Sequence, residues 1–336
     1  MTPTPLSPSA IEVNDAANRH FSEASTDERG AIFTRREVVD FILDLVGYTE
    51  AQPLHQARLL EPSAGEGDFL LPIIGRLVRS FRAHGGNLAE AGHALVDALV
   101  AVEVHADSLA GARRTVAAEL ERLGVPSGPA LQLAQRWLVL GDFLQLPLEG
   151  AFSHVVGNPP YVRQELIPEA LLAEYRARYR TLYDRADLYV PFFERSLGLL
   201  APGGRLGFIC TDRWTKNKYG GPLRELVARD FSLTHYVDLL NADAFTSEVM
   251  TYPAITVIER PARPGGEPGP TRVAYQPPIE AEALDALARA LTAPKLPQAS
   301  GVLSLERVAN GAEPWLLHDP ARLALVRRRA ATLPTL

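Results

Sequence analysis

Asn158-Pro159-Pro160-Tyr161 is the segment of this sequence that carries the most chemistry, and it directly follows an apolar strand-like run ending at Val156. A tetrapeptide of these types arises by chance about once in a thousand chains of this size. Asn and Pro also favour ordinary turns, so the position after a strand is what gives the segment weight. An amide side chain beside a proline-fixed carbonyl offers two acceptors that point the same way. Such a pair suits an NH2 group, because each acceptor takes one hydrogen while the nitrogen lone pair points outward. Proline fixes φ and has no N–H, so the carbonyl is held rigidly without a competing donor. The ring of Tyr161 adds a flat face on which a base can stack.

Three further segments can bind a ligand. Leu59 to Leu70 reads LLEPSAGEGDFL, a strand end followed by small residues and a helix. Ala64, Gly65 and Gly67 let the backbone approach a ligand closely, and the helix from about Phe69 contributes its positive end. Glu61, at the end of the strand, can pair with an ammonium group. Gly-x-Gly-x-x-Gly is absent, which argues against a nicotinamide dinucleotide. Glu103, near the end of the apolar run Ala98 to Val104, can accept from both hydroxyls of a ribose. It lies farther from the glycines than the roughly 20 residues usual for that role, which implies an insertion around Gly85 to Asp97. Asp142, after the run Trp137 to Leu140, can accept from a ring amino group, with Phe143 to cover the ring. Taken alone, an Asp after a strand is usually a turn or a cap.

These residues need strands to place them. Runs at 57–60, 98–104, 137–140, 154–156, 205–210, 233–239 and 254–259 read as strands. Helical spacing recurs over 33–47, 69–84, 107–123, much of 169–200, 223–228 and 279–291. Thr34 is positioned to cap the first helix, with Glu37 as its capping-box partner. Alternation of this kind predicts an α/β fold with an open, mostly parallel twisted sheet and helices on both faces. Ligands of such sheets sit beyond the carboxyl ends of the strands, where all four segments fall. Residues 1–29 read as a flexible lead-in and 261–278 as a Pro/Gly-rich linker.

Composition bounds the class. With 336 residues, 46% hydrophobic and 22% charged, the chain has enough apolar material for one large core. A single cysteine, Cys210, excludes an internal disulfide framework and a multi-cysteine metal site. No metal is expected, and a cytoplasmic, reducing compartment fits. No run of 18 apolar residues offers a membrane span. The net charge of -6 lacks the overall basic footprint of a nucleic-acid binder. A local patch suffices to meet phosphates, and 212–229 holds Arg213, Lys216, Lys218, Arg224 and Arg229 against Asp212 and Glu225. Lys216, Lys218 and Arg224 are the expected phosphate contacts.

In order and in detail these segments resemble the N6-adenine DNA methyltransferases of restriction–modification systems, in the group whose cofactor motifs come first. The matching segments are Phe33-Thr34 with Glu37-Val38-Val39, EPSAGEGDFL, AVEVH, GDFL and Asn158 to Tyr161. Asp187 to Phe193 and Leu199 to Gly204 follow. The resemblance covers roughly residues 31–260 and implies a Rossmann-like class I methyltransferase domain over 30–260. It implies S-adenosylmethionine as cofactor, held by Thr34, Glu61, Ala64, Gly65, Gly67, Glu103, Asp142 and Phe143. The target is a flipped adenine in double-stranded DNA, held by Asn158, Pro159, Pro160 and Tyr161, with Phe245 opposite. One departure is Arg35, where the family usually has Pro. N4-methylation of cytosine, methylation of a protein glutamine, and a catalytically silent DNA-binding subunit are the alternatives. The family keeps sequence recognition in a separate domain, usually C-terminal. Residues 261–336 are therefore expected to open such a region within a longer protein, or to work with a recognition subunit.

Overall fold

The structure is a computed structural model that describes residues 34–317 except 149, 241, 243, 246–252, 264, 266–268, 299 and 307. The expected lead-in, Phe33, Thr251-Tyr252 and the end of the chain lie outside the described residues. The first half runs α1 (Arg36–Leu45), β1 (Leu59–Glu61), α2 (Leu70–Ala83), α3 (Ala91–Ala94), β2 (Leu99–Glu103), α4 (Ala106–Arg122), α5 (Ser127–Trp137) and β3 (Leu138–Leu140). Then come β4 (Phe152–Gly157), α6 (Glu169–Arg178), α7 (Tyr189–Gly198), β5 (Leu200–Thr211) and α8 (Gly221–Asp230). The last elements are β6 (Ser232–Asp238), β7 (Pro253–Glu259), β8 (Thr271–Tyr275), α9 (Ala281–Thr292) and β9 (Leu303–Leu305).

The strands form one sheet in the order β3-β2-β1-β4-β5-β7-β6-β8-β9. β3, β2, β1, β4 and β5 run parallel, and β7 inserts antiparallel between β5 and β6. Successive side chains of a strand point to opposite faces, and the two cores follow that alternation. Leu59, Ile209, Ile255 and Val257 join one apolar cluster, with side chains of α1, α2, α4, α5 and α9. Leu60, Leu206, Phe208 and Ile258 join the other, with α6, α7 and α8. Helices therefore cover both faces, as expected. No helix among the described residues is long and apolar enough to cross a membrane.

Several expectations are corrected. Thr34 does not cap α1: the cap position is Arg35, without a side-chain bond. The expected insertion at 85–97 is a short turn and α3. The supposed linker 261–278 contains β8, which pairs with β6, so the sheet does not stop at residue 260. Beyond it, α9 packs against α1, and Trp315 is buried edge-on against Trp214 at 5.3 Å. The Trp315 amide donates to the Thr215 carbonyl at 2.9 Å. The chain to Leu317 is thus part of the same folded body as the sheet.

Trp315→Ala is expected to destabilise the whole domain by about 3–5 kcal/mol, the usual loss on truncating a buried Trp. Urea unfolding followed by circular dichroism checks this; an unchanged midpoint would mean that the segment merely rests on the surface.

Candidate active site

The parallel strands deliver the chemistry-bearing residues to one edge. Glu61 ends β1, Glu103 ends β2, Asp142 follows β3 and Asn158 follows β4. Because the order there is β3-β2-β1-β4, these four form a row along the carboxyl edge. Strand order reverses between β1 and β4, the place where open α/β sheets bind ligands.

The turn after β1 is shaped by its glycines and by the acids on either side. Gly65 and Gly67 have φ of 53° and 102°, which residues with a Cβ rarely adopt. The Gly65 amide donates to Glu103 Oε2 at 2.8 Å, and the His105 amide donates to Oε1 at 2.7 Å. The Ala64 amide donates to the Val102 carbonyl at 2.8 Å. Glu103 thus bridges the glycine turn to the end of its own strand.

Glu61 is fully buried, and among the described residues its Oε1 accepts only from the Ser63 amide at 3.1 Å. Its Oε2 is buried with no hydrogen-bond partner among the described residues. Burial, with Asp68 and Glu103 nearby, pushes this carboxyl up to about 8. A Cβ on Gly157 would come within 2.5 Å of Glu61 Oε1, so the glycine at the end of β4 makes room for the carboxyl. A buried carboxyl with one oxygen unpartnered among the described residues is suited to a ligand ammonium group, whose charge would favour the ionised form and fill the open acceptor.

Asp142 is also buried, but it is well partnered. Its Oδ1 accepts from the Leu144 amide at 2.9 Å. Its Oδ2 accepts from Gln145 Nε2 at 2.7 Å and from the Tyr175 hydroxyl at 2.8 Å. Phe143 is buried between Phe192, 5.0 Å away, and the Arg195 guanidinium, 5.1 Å from its ring centre.

Thr34 joins this row to the opening segment. Its amide donates to Asp68 Oδ2 at 3.0 Å, and its Oγ1 accepts from Asn158 Nδ2 at 3.3 Å. It also forms an antiparallel bridge with Phe245. The Arg35 amide donates to the Ala244 carbonyl at 3.1 Å, and Arg35 Nε donates to the Phe245 carbonyl at 3.3 Å. A proline at position 35 could not make that amide bond, which gives the departure from the usual motif a physical reason. Phe245, which sequence links to this site only by position, is buried beside Thr34.

The Tyr161 ring lies 6.5 Å from that of Tyr189, and its hydroxyl is buried without a hydrogen-bond partner among the described residues. Beside it opens a cavity of about 650 Å³, with Arg163, Arg185, Asp187, Arg213 and Tyr219 in its lining. The expected phosphate contacts fare unequally. Lys218 is exposed. Lys216 is paired with Asp212. Arg224 is buried, donating to the carbonyls of Ala312, Trp214 and Asn217 at 2.6–2.9 Å, so it fastens the chain rather than meeting a phosphate. Asp68, Tyr175, Arg163 and Arg185 were not singled out in the sequence for this site, and Arg213 was named only within the basic stretch 212–229. Asp68 had a signal in its place within the glycine turn, whereas Tyr175 had none.

Residues 134–245 match the Eco57I restriction-modification methylase family. The chain is 66% identical over 310 residues to Type II methyltransferase M.XhoI of Xanthomonas vasicola, covering 92% of this chain and 57% of that protein. It is 55% identical over 333 residues to Type II methyltransferase M.PaeR7I of Pseudomonas aeruginosa, covering 99% of this chain and 57% of that protein. This chain is a homologue of the Type II methyltransferases. It spans a little over half the length of those two relatives. Among solved structures, the M protein of the EcoKI Type I restriction enzyme superposes with a TM-score of 0.55 at 14% identity, covering 77% of this chain and 53% of that one. The Type ISP restriction-modification enzyme LlaBIII bound to DNA gives 0.59 at 17%, covering 83% of this chain and 22% of that one. At those identities the likeness is one of fold: the homologue has the class I methyltransferase architecture.

Glu61 gives a pH test. From the ordinary value of 4.5 up to about 8, an unfolded chain ionises this carboxyl while the folded chain keeps its proton. The unfolded state then binds fewer protons, so stability falls as pH rises through that window. Relative to Glu61→Gln, the wild-type melting temperature should drop progressively between pH 5 and pH 8. A difference that does not vary with pH would mean that the carboxyl is already ionised in the fold.

Proposed function

We propose that this chain is the catalytic part of a restriction–modification DNA methyltransferase that uses S-adenosylmethionine to methylate the exocyclic N6 of a flipped adenine. The observation that carries the proposal is Asn158: a side-chain amide at the end of β4, oriented by the Thr34 hydroxyl and followed by two prolines and an aromatic ring. The Type II methyltransferase kinship supports the restriction–modification setting.

The donor set fits the cofactor. Glu61 Oε2, buried and unmatched, suits the methionine ammonium. The turn from Ala64 to Gly67 and Glu103 suit the ribose region, and Asp142 with Phe143 suits the adenine ring. Thr34 closes the row beside Asn158. Once bound, S-adenosylmethionine supplies an electrophilic sulfonium methyl.

The remaining work belongs to the chain. An adenine stacked within a duplex cannot bring its amino group to a recessed site, so the base must leave the helix. Tyr161 offers a stacking face for it and Phe245 a second apolar contact. The Thr34 bond takes an Asn158 N–H, which fixes the end of the amide that carries the oxygen. That oxygen and the Pro159 carbonyl accept from the two amino hydrogens, and the nitrogen lone pair is turned outward. In a direct displacement without an enzyme nucleophile, the N6–CH3 bond would form as the S–CH3 bond breaks, its electron pair leaving on sulfur as a neutral thioether and one amino proton passing to solvent. Acceleration then comes from positioning and fixed dipoles. Cys210 is buried, and burial pushes its thiol well up, which suits a packing role. Arg163, Arg185 and Arg213 stand against Glu165 and Asp187 in the lining of the cavity beside Tyr161, and with exposed Lys218 they leave a small local excess of positive charge for a polyanion despite the net charge of -6. A separate recognition region or subunit would select the sequence to be methylated.

Labelled S-adenosylmethionine incubated with mixed genomic DNA should yield N6-methyladenine on nucleoside analysis. Asn158→Ala should reduce transfer by at least about a hundredfold, the scale of losing a fixed transition-state acceptor, while largely retaining cofactor affinity. Label on cytosine N4 would keep the chemistry and change the base; full transfer by Asn158→Ala would remove the proposal.

A further inference from the structure

Tyr175 belongs to no motif, yet its hydroxyl reaches Asp142 Oδ2 across 33 residues of sequence at 2.8 Å. It is fully buried on α6, the first α-helix after the Asn158–Tyr161 segment. The surrounding contacts form a brace around the loop after β3. Four residues on, the Tyr179 hydroxyl donates to the Leu144 carbonyl at 2.5 Å. From α7, Arg195 donates to the Tyr179 hydroxyl at 3.0 Å and lies over the Phe143 ring. Gly141 lies at the start of this loop, where a Cβ would come within 2.7 Å of Leu146.

A carboxylate has about four acceptor positions. The described residues fill three on Asp142: two on Oδ2, from Tyr175 and Gln145, and one on Oδ1, from the Leu144 amide. The terminal torsion of an Asp side chain is broad and roughly two-fold, so a single local bond sets its direction only loosely. Two donors on one oxygen hold the other oxygen in a fixed direction, with one acceptor position left.

We infer that Tyr175 is a positioning residue for the cofactor, acting through Asp142 by holding its remaining acceptor position toward the adenine amino group. The inference rests on the reading of Asp142 as the acceptor for that group. It also ties the cofactor loop to the helix that follows the target-base segment in sequence.

The consequence is chemical as well as geometric. Burial raises Asp142, while the bonds from Gln145, Tyr175 and Leu144 and the charge of Arg195 pull it back down. Arg178, the last residue of α6, and Tyr179 just after it are the other ionisable groups beside Tyr175. Without the Tyr175 hydroxyl, the ionised acceptor is less favoured and the carboxyl protonates at higher pH.

The test is calorimetric titration of the full chain with S-adenosylmethionine over a series of pH values. Tyr175→Phe should bind about tenfold more weakly, the scale of one hydrogen bond to a charged group. The low-pH limit of binding should also move to higher pH. Gln145→Leu removes the other donor on the same oxygen from a half-buried position, and it should move both quantities the same way even if Tyr175→Phe folds poorly. Wild-type affinity in both variants, or weakening with no pH shift, would overturn the inference. Unchanged affinity in Asp142→Ala would instead overturn the reading of Asp142, and the inference would fall with it.

Discussion

The site depends on what Thr34 holds together. Through its amide, its hydroxyl and its bridge to Phe245, this residue joins Asp68 of the glycine turn, the Asn158 amide and the segment before β7. Each of these comes from a different part of the chain, and none reaches the others by local geometry. A side-chain amide is worthless as an acceptor if it can rotate to present its NH2, so the bond from Asn158 Nδ2 to Thr34 bears directly on what Asn158 can do. The Arg35 amide, donating to Ala244, anchors the same segment from the next residue.

Beneath that joint lies a constraint of the sheet. Parallel strands buried on both faces spend their side chains on packing and leave only their carboxyl ends for chemistry. Three acids end there, and they are treated differently. Glu103 organises the glycine turn, and Asp142 is braced from α6. Glu61 is left buried with an unmatched oxygen, pushed up to about 8. A buried acceptor without a partner among the described residues is unfavourable by itself, which is what the proposed ammonium contact would relieve.

Much of this was legible in sequence because the signals were local. Strands β1, β2, β4, β6 and β7 read as short apolar runs, and the chemistry-bearing residues followed them within a few positions. Helix α5 went unread, with Trp137 assigned to the strand after it, although Ala130, Leu133, Ala134 and Trp137 are its buried residues. The other failures were long-range. Thr34 looked like a cap because Glu37 stood three residues on, but its hydroxyl turned to a residue 124 positions away. Arg224 looked like a surface cation, whereas three backbone carbonyls had claimed it. β8 hid in a Pro/Gly-rich stretch, since a five-residue strand is recognised mainly by the neighbour it pairs with. Tyr175 matters only through a contact that no spacing rule anticipates.

The most direct measurement of the Thr34 joint is methyl transfer to DNA by Thr34→Val, with Thr34→Ser as its control. Valine keeps the shape and the backbone bonds but removes the acceptor for Asn158 Nδ2; serine restores it. The account predicts a loss of turnover of about tenfold or more for valine, with cofactor affinity less affected and substantial recovery with serine. Equal turnover by wild type and Thr34→Val would contradict it, because the orientation of Asn158 would then not depend on this hydroxyl.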